Sequence, residues 1–198
     1  MARVISVVPA NTVGWGDLQL VFGTSGAASR CQCQRYKLAP KESFGAVAVE
    51  ERAFRLRRQT DCGHPGSGTT SGLVALADDE PVGWCAVEPR TEYAGLFRVF
   101  RVPWEGRDED RGDPTVWAVT CLLARKGFRR RGISRALAVG AVDFARERGA
   151  RALEAYPITT TDVITEELHV GTVPTFAAAG MVEVSRPTPR RVVMRIDY

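Results

Sequence analysis

Residues 116–137 read VWAVTCLLARKGFRRRGISRAL and gather the groups in this chain best suited to holding a ligand. The first nine are nearly all apolar, as expected of a strand covered on both faces. A short basic turn follows. From Gly132 onward Ile133, Ala136, Leu137, Gly140, Ala141 and Phe144 recur at helical spacing until Gly149 stops the pattern. A strand that turns directly into a helix presents unpaired amide N–H groups and the positive end of the helix dipole. Gly132 removes a side chain where the backbone must approach a ligand, and Ser134 is small and able to donate a hydrogen bond. Arg129, Arg130, Arg131 and Arg135 surround this turn with fixed positive charge. Such a nest suits a pyrophosphate.

The cysteines are the second chemical possibility. Cys31-x-Cys33 and Cys62-x-His64 offer two pairs of ligands that tetrahedral zinc would accept if the segments met. One intervening residue is fewer than the two to four usual in such sites, so no metal is expected. Cys31 and Cys33 instead line a cleft or pack as small hydrophobes, and Cys85 and Cys121 fall in apolar strands.

The elements that position these groups follow from periodicity. Residues 3–8 read as a strand and 15–22 as a helix stopped by Gly23. Residues 25–40 have no clear period. Phe44, Val47, Phe54 and Leu56 place an amphipathic helix over 41–58. The runs LVALA and VGWCAVEP flank an acidic turn, Asp78-Asp79-Glu80-Pro81, and read as a hairpin. Residues 90–113 are charged and aromatic, with a mobile loop expected in their second half. RALEAY, ended by Pro157, is a strand; 158–170 is a polar loop, with a helix within it as the alternative. A short helix at 174–179, the Gly180 cap and strands at 181–184 and 191–196 complete an α/β chain with a mixed sheet.

The chain has 198 residues, 44% hydrophobic and 25% charged, which suits one soluble domain. No apolar run approaches the roughly 18–20 residues of a membrane span. VISVV near the start is shorter than the apolar stretch of about 7–15 residues in a signal peptide. A cytoplasmic protein with reduced cysteines is therefore expected, without membrane attachment. The net charge of +4 is concentrated in part at 129–131, unlike the spread of basic residues over a nucleic-acid binder, so no nucleic-acid partner is expected. Leu96, Phe97 and Phe100 form an apolar patch that is a candidate homodimer face.

RRRGIS at 129–134 resembles the signature of the GNAT N-acetyltransferase superfamily: Arg or Gln, two residues, Gly, any residue, then Gly or Ala, with Ser134 at the last place here. PTFAAAGMVEV at 174–184 resembles the helix and strand that end that family's domain. The resemblance covers residues 72–198 best. CQC at 31–33, VGWCAVEPRTEY and LEAYP resemble a bacterial branch in which a Cys-rich segment replaces much of the first helix pair. It implies one domain over 1–198, with 1–71 a variable acceptor-side segment and 72–198 the hairpin, the acetyl-CoA core and the C-terminal strands. It also implies an α/β (α+β) GNAT fold: a mixed, mostly antiparallel central sheet flanked by helices and splayed at its central parallel pair. The implied co-substrate is acetyl-CoA, with the loop amides of residues 129–135, Ile133 included, on its pyrophosphate. The backbone of Leu122, Leu123 and Ala124 would pair with its pantetheine.

The implied activity is transfer of acetyl to a primary amine of a small molecule or peptide by direct attack. The acidic runs at 78–80 and 105–110 would favour a cationic acceptor. Where the family often carries a base, this strand has Ala118 and Thr120, and the family's frequent acid, a Tyr, is Phe176. Three substitutes stand nearby. Glu154 and Tyr156 share a strand face opposite Leu153 and Ala155, as base and acid, or as an ion-paired Glu and a Tyr closing the core. His169 has the pKa to take a proton, or is a loop histidine. Glu88 and Arg90 would line the acceptor pocket, or simply end a hairpin. Two further readings stand beside this one: an acyl-CoA sensor without turnover, supported by the vacant posts, and a protein lysine acetyltransferase.

Overall fold

The apolar run at 116–124 becomes the middle strand of a seven-stranded sheet, with side chains packed on both its faces. The computed structural model describes residues 4–98 and 100–198. In chain order come β1 (Ile5–Pro9), α1 (Trp15–Phe22), α2 (Ala27–Cys31), α3 (Val49–Thr60), β2 (Leu73–Ala77), β3 (Glu80–Pro89), α4 (Ala94–Arg98) and β4 (Val116–Ala124). They are followed by α5 (Ile133–Glu147), β5 (Ala152–Ala155), a 3-10 helix (Thr165–Val170), α6 (Val173–Ala177), β6 (Val182–Thr188) and β7 (Arg191–Asp197).

The sheet order is β1-β2-β3-β4-β5-β7-β6. Every neighbouring pair is antiparallel except β4 and β5, which α5 connects as a crossover. The hairpin between β2 and β3 turns on Asp78 and Asp79, both at positive φ (50° and 68°), as the tight hairpin turn demands. That acidic run is therefore a turn, and Glu80 reaches Arg125 at 2.9 Å.

One face of the sheet packs α5 and α6 over Val82, Cys85, Val87, Val119, Leu153 and Met194. The opposite face carries Leu18, Phe22, Leu56 and Trp84, and beside them Tyr36, Tyr93, Leu96, Trp104 and Tyr156. α5 lies close on β3 because residue 83 is glycine. A Cβ there would sit 2.4 Å from Ile133 Cγ2 and 3.0 Å from Leu137 Cδ1. Gly83→Ala is expected to cost about 1–3 kcal/mol as an overpacking change, measured by denaturant unfolding. An unchanged midpoint would mean that the first turn of α5 yields without cost.

Two expectations are corrected. The helix expected over 41–58 begins only at Val49: Pro40, Lys41 at φ 72° and the Ser43–Ala46 turn precede it, and Phe54 faces solvent. The loop expected to be mobile is tied down, with the Trp104 indole N–H on Leu96 O at 2.8 Å and Arg90 on Asp110 O at 2.7 Å. Of the apolar patch expected at 96–100, Leu96 is buried, while Phe97, stacked on Trp104 at 5.3 Å, and Phe100, packed against Tyr36 and Tyr156, are half-buried. Among the described residues no helix is long and apolar enough to cross a membrane.

Candidate acyl-donor cleft and proton-transfer groups

β4 and β5 run together only from Val116↔Ala152 to Val119↔Ala155, where β5 ends. β4 continues through Thr120 to Ala124 with β3 as its one strand partner. On that side the register skips: Ala86 faces Cys121 and Val87 faces Val119, so Thr120 is the extra residue of a bulge. The strand edge from Thr120 to Ala124 that faces away from β3 thus carries backbone groups for a chain-like ligand to pair with. Leu122, Leu123 and Ala124 all lie on it.

The turn after β4 is built to leave its amides exposed. Arg125 N–H returns to Val82 O at 2.8 Å and Phe128 N–H to Arg125 O at 3.0 Å. Arg130 (φ 61°) and Gly132 (φ 81°) then take left-handed conformations. The first helical amide to find a carbonyl is Ala136, on Gly132 O at 3.0 Å. Ahead of it the amides of Ile133, Ser134 and Arg135 lack intrahelical acceptors. A Cβ built on Gly132 meets nothing within 4 Å, so the glycine serves the backbone angle and the space before the helix stays open. Arg129, Arg130 and Arg131 are exposed, and none of them, nor Arg135, has a carboxylate partner among the described residues. Arg131 lies over the Phe128 ring at 5.3 Å. An open, amide-lined and cationic cradle at the start of a fifteen-residue helix fits a polyphosphate.

The three proton-transfer candidates separate sharply. Glu154 is fully buried and its carboxylate is saturated. Oε1 accepts from Arg107 at 2.5 Å and Arg195 at 2.8 Å; Oε2 accepts from Arg90 at 3.2 Å and from the Tyr156 hydroxyl at 2.9 Å. Burial alone would raise its pKa, but the Arg107 hydrogen bond and charge, with Arg90 behind them, hold it below the usual carboxylate range. Four donors occupy the lone pairs that the role of base expected for Glu154 would need. Tyr156 fails for the matching reason. Its proton is committed to Glu154, and burial together with that carboxylate's charge holds the phenol well above its ordinary value. The pair is the ion-paired Glu and rim-closing Tyr of the alternative reading.

His169 differs. Its Nδ1 lies 2.7 Å from Glu166 O, and a carbonyl can only accept, so Nδ1 carries the proton. Burial first, then the charges of Arg35 and Arg191, keep the ring below its ordinary pKa and therefore neutral. Nε2 is then a bare lone pair, and it is buried without a partner. Leaving such an atom unsatisfied costs about 1–3 kcal/mol, which asks for a reason. The 3-10 helix that carries it packs on β4, and its ring stands 6.4 Å from that of Tyr36.

Glu88 and Arg90 part company as well. Arg90 is fully buried in the Glu154 network. Glu88 contacts Lys37 Nζ and lies beside Tyr93 on the face away from α5; burial raises its carboxyl against the pull of Lys37. The cysteines are all free and do not assemble a metal site among the described residues. Trp84 Nε1 donates to Cys33 Sγ at 2.9 Å, and the hydrogen bond with Cys121, then burial, push the Cys33 thiol well up. Cys62 bonds Thr60, while His64 pairs with Asp61.

Arg107, Arg195 and Lys37 were missed by sequence reasoning. Arg195 carried a signal: it interrupts the apolar run of β7, and a buried arginine needs a partner. Its cross-strand neighbour in the register is Glu154. For Arg107 and Lys37, both in irregular segments, the sequence offers no comparable mark.

The sequence model of the acetyltransferase (GNAT) family matches residues 35–169, which is more than half of the chain and spans both the parting of β4 from β5 and the helix cradle. The chain belongs to the GNAT family. Similar folds include the GCN5-related N-acetyltransferase from Kribbella flavida (16% identity, 98% of each chain covered, TM-score 0.53). YncA from Salmonella typhimurium, solved with its cofactor acetyl-CoA, is 11% identical over 98% of this chain and 93% of that one (TM-score 0.53). An N-acetyltransferase from Staphylococcus aureus Mu50 is 11% identical over 98% of each (TM-score 0.52). At these identities the likeness is one of fold. Among curated proteins, none matches. The family match begins after the Cys-x-Cys segment and does not speak to a branch. As a GNAT chain, this one has the expected architecture: a mostly antiparallel sheet with one parallel pair and flanking helices.

Proposed function

We propose that this GNAT protein moves an acetyl group from acetyl-CoA to the primary amine of a small molecule or peptide, by direct attack while both substrates are held. The observation that carries the reading is the parting of β4 from β5 at the Thr120 bulge, directed at the open N-terminus of α5. When bound, acetyl-CoA supplies an activated thioester. The chain's part is to position it: the amides at 129–135 and the Arg129, Arg130, Arg131 and Arg135 guanidiniums on the pyrophosphate, and the Leu122–Ala124 edge along the pantetheine. His169 Nε2 accepts the proton that the amine gives up on attack. The Glu154 lone pairs and the Tyr156 proton are engaged in their own hydrogen bonds, so holding the reactants together supplies much of the remaining rate. The acceptor is neither nucleic acid nor membrane in this reading.

Calorimetric titration of acetyl-CoA and CoA into wild type and Gly132→Glu tests it. The substitution puts a carboxylate into the cradle and an L side chain at φ 81°. Saturable binding by wild type and its loss in the variant are expected. An absence of binding to wild type would overturn the reading. Binding without amine-dependent release of CoA would leave the sensor.

A further inference from the structure

The surroundings of His169 bear on which amine is used. The ring sits against Tyr36, and Tyr36 against Phe100 at 5.4 Å. Arg191, at the start of β7, lies 5.1 Å above the Phe100 ring and donates to Tyr156 O at 3.3 Å. Arg35, next to Tyr36 in the chain, lies 5.5 Å from the Phe44 ring. The charges of both arginines act on His169 and on Tyr36. Neither has a carboxylate partner among the described residues, whereas Lys37 pairs with Glu88, and Arg90, Arg107 and Arg195 pair with Glu154. Phe100 also lines a groove of 320 Å³ together with Phe97, Trp104, Arg98, Arg101 and Arg111. Glu105 is the one acidic residue on its wall.

Much of the acidic runs that suggested a cationic acceptor is engaged elsewhere. Asp78 and Asp79 form a turn, Glu80 bonds Arg125, and Glu109 bonds Arg107 and Arg195. A cationic amine would thus meet several arginines against one carboxylate, Glu105, which already pairs with Arg101.

We propose that the acceptor is a small primary amine bearing its own anionic group, a carboxylate or a phosphate, which Arg191 and Arg35 hold so that the amine faces His169 Nε2. Guanidinium suits either anion, since its planar fork matches both. Burial and then the same two charges lower the pKa of His169, so one pair of residues that selects the substrate also helps to ready the base. The aromatic shelf of Tyr36 and Phe100 lowers the local dielectric and strengthens that pairing.

The inference rests on the acetyl-CoA reading, and its test separates the two. Binding of amines to the CoA-saturated protein is measured by calorimetry for amino acids, their methyl esters, O-phosphoethanolamine, ethanolamine and a polyamine. The free acids or the phosphate should bind at least about tenfold more tightly than the matched ester or alcohol, as expected of a charge-assisted hydrogen bond. Which of the two anions binds better identifies the group. Arg191→Gln, and the exposed Arg35→Gln that carries little risk to folding, should each erase most of that difference by weakening the acids or the phosphate, with the esters bound at least as tightly as before. Equal binding of acid and ester, preference for the polyamine, or no amine binding to a protein that binds CoA would overturn the anionic acceptor and leave the donor reading standing. Failure to bind CoA would overturn both.

Discussion

Glu154→Ala is expected to cost about 3–5 kcal/mol of folding stability, the loss typical of removing one partner from a buried charge network. The reason is the company it leaves. Arg90, Arg107 and Arg195 all converge on this one carboxylate, and each is at most 9% exposed at its side chain. Without it they share only Glu109, which stands at the rim. Three guanidiniums would then repel one another in a medium too poor in water to screen them. Glu154→Gln keeps the shape and two donors' worth of acceptance but not the charge, and should lose less than alanine. Urea or guanidinium unfolding at neutral pH reads both. The sign with pH follows from the depressed carboxyl. Its contribution is fully present above the unfolded-state value of about 4.3 and is lost as the pH falls through the lower folded value. Wild type should lose stability steeply in acid, and Glu154→Gln should lose less of what remains. A loss under about 1 kcal/mol in Glu154→Ala, the range of a surface ion pair, would show that water reaches the network.

The network also explains which parts of the molecule the sequence disclosed. β4, α1 and α5 were legible nearly to the residue, because an unbroken apolar run and a long period-3.6 stripe each leave one arrangement that buries them. The cradle was legible for the same reason: strand, Gly and Arg turn, and helix are contiguous, so local order fixes the geometry. Glu154 and Tyr156 were rightly placed on one strand face, since alternation is local too. What alternation could not show is the partner on another element. Arg107 arrives from 47 residues away in sequence and Arg195 from 41. Together they turn a catalytic candidate into a structural anion. Similarly, α3 began eight residues later than its apolar spacing suggested, because Phe44 packs under Arg52 at 4.1 Å as part of a turn and not of the helix. Residue type and spacing reveal a local device, and a long-range ion pair can reassign it.

His169→Ala is expected to lower kcat about 10²–10⁴-fold, the usual contribution of a positioned general base, with the dissociation constant of acetyl-CoA unchanged. The split is the point: a merely structural histidine under the β4 edge would disturb donor binding along with rate. The pH profile supplies a second, independent reading. Burial and the charges of Arg35 and Arg191 lower the ring's pKa, opposed by the Glu166 carbonyl and the Glu167 charge. The acid limb of kcat/KM in wild type should therefore fall with a midpoint below about 6.5, the ordinary histidine value, and should vanish in His169→Ala. Removing Arg35 weakens one of the forces that lower the ring, so Arg35→Gln should shift that limb toward higher pH. If His169→Ala kept both the rate and the limb, the proton would be leaving by another route. Glu88 would then be the group to replace next, because its buried carboxyl is raised toward the range in which a base can work. Lys37 separates the two outcomes. That residue's charge opposes the rise at Glu88, so Lys37→Met would raise the Glu88 midpoint and move an acid limb set by Glu88, but it would leave one set by His169 in place.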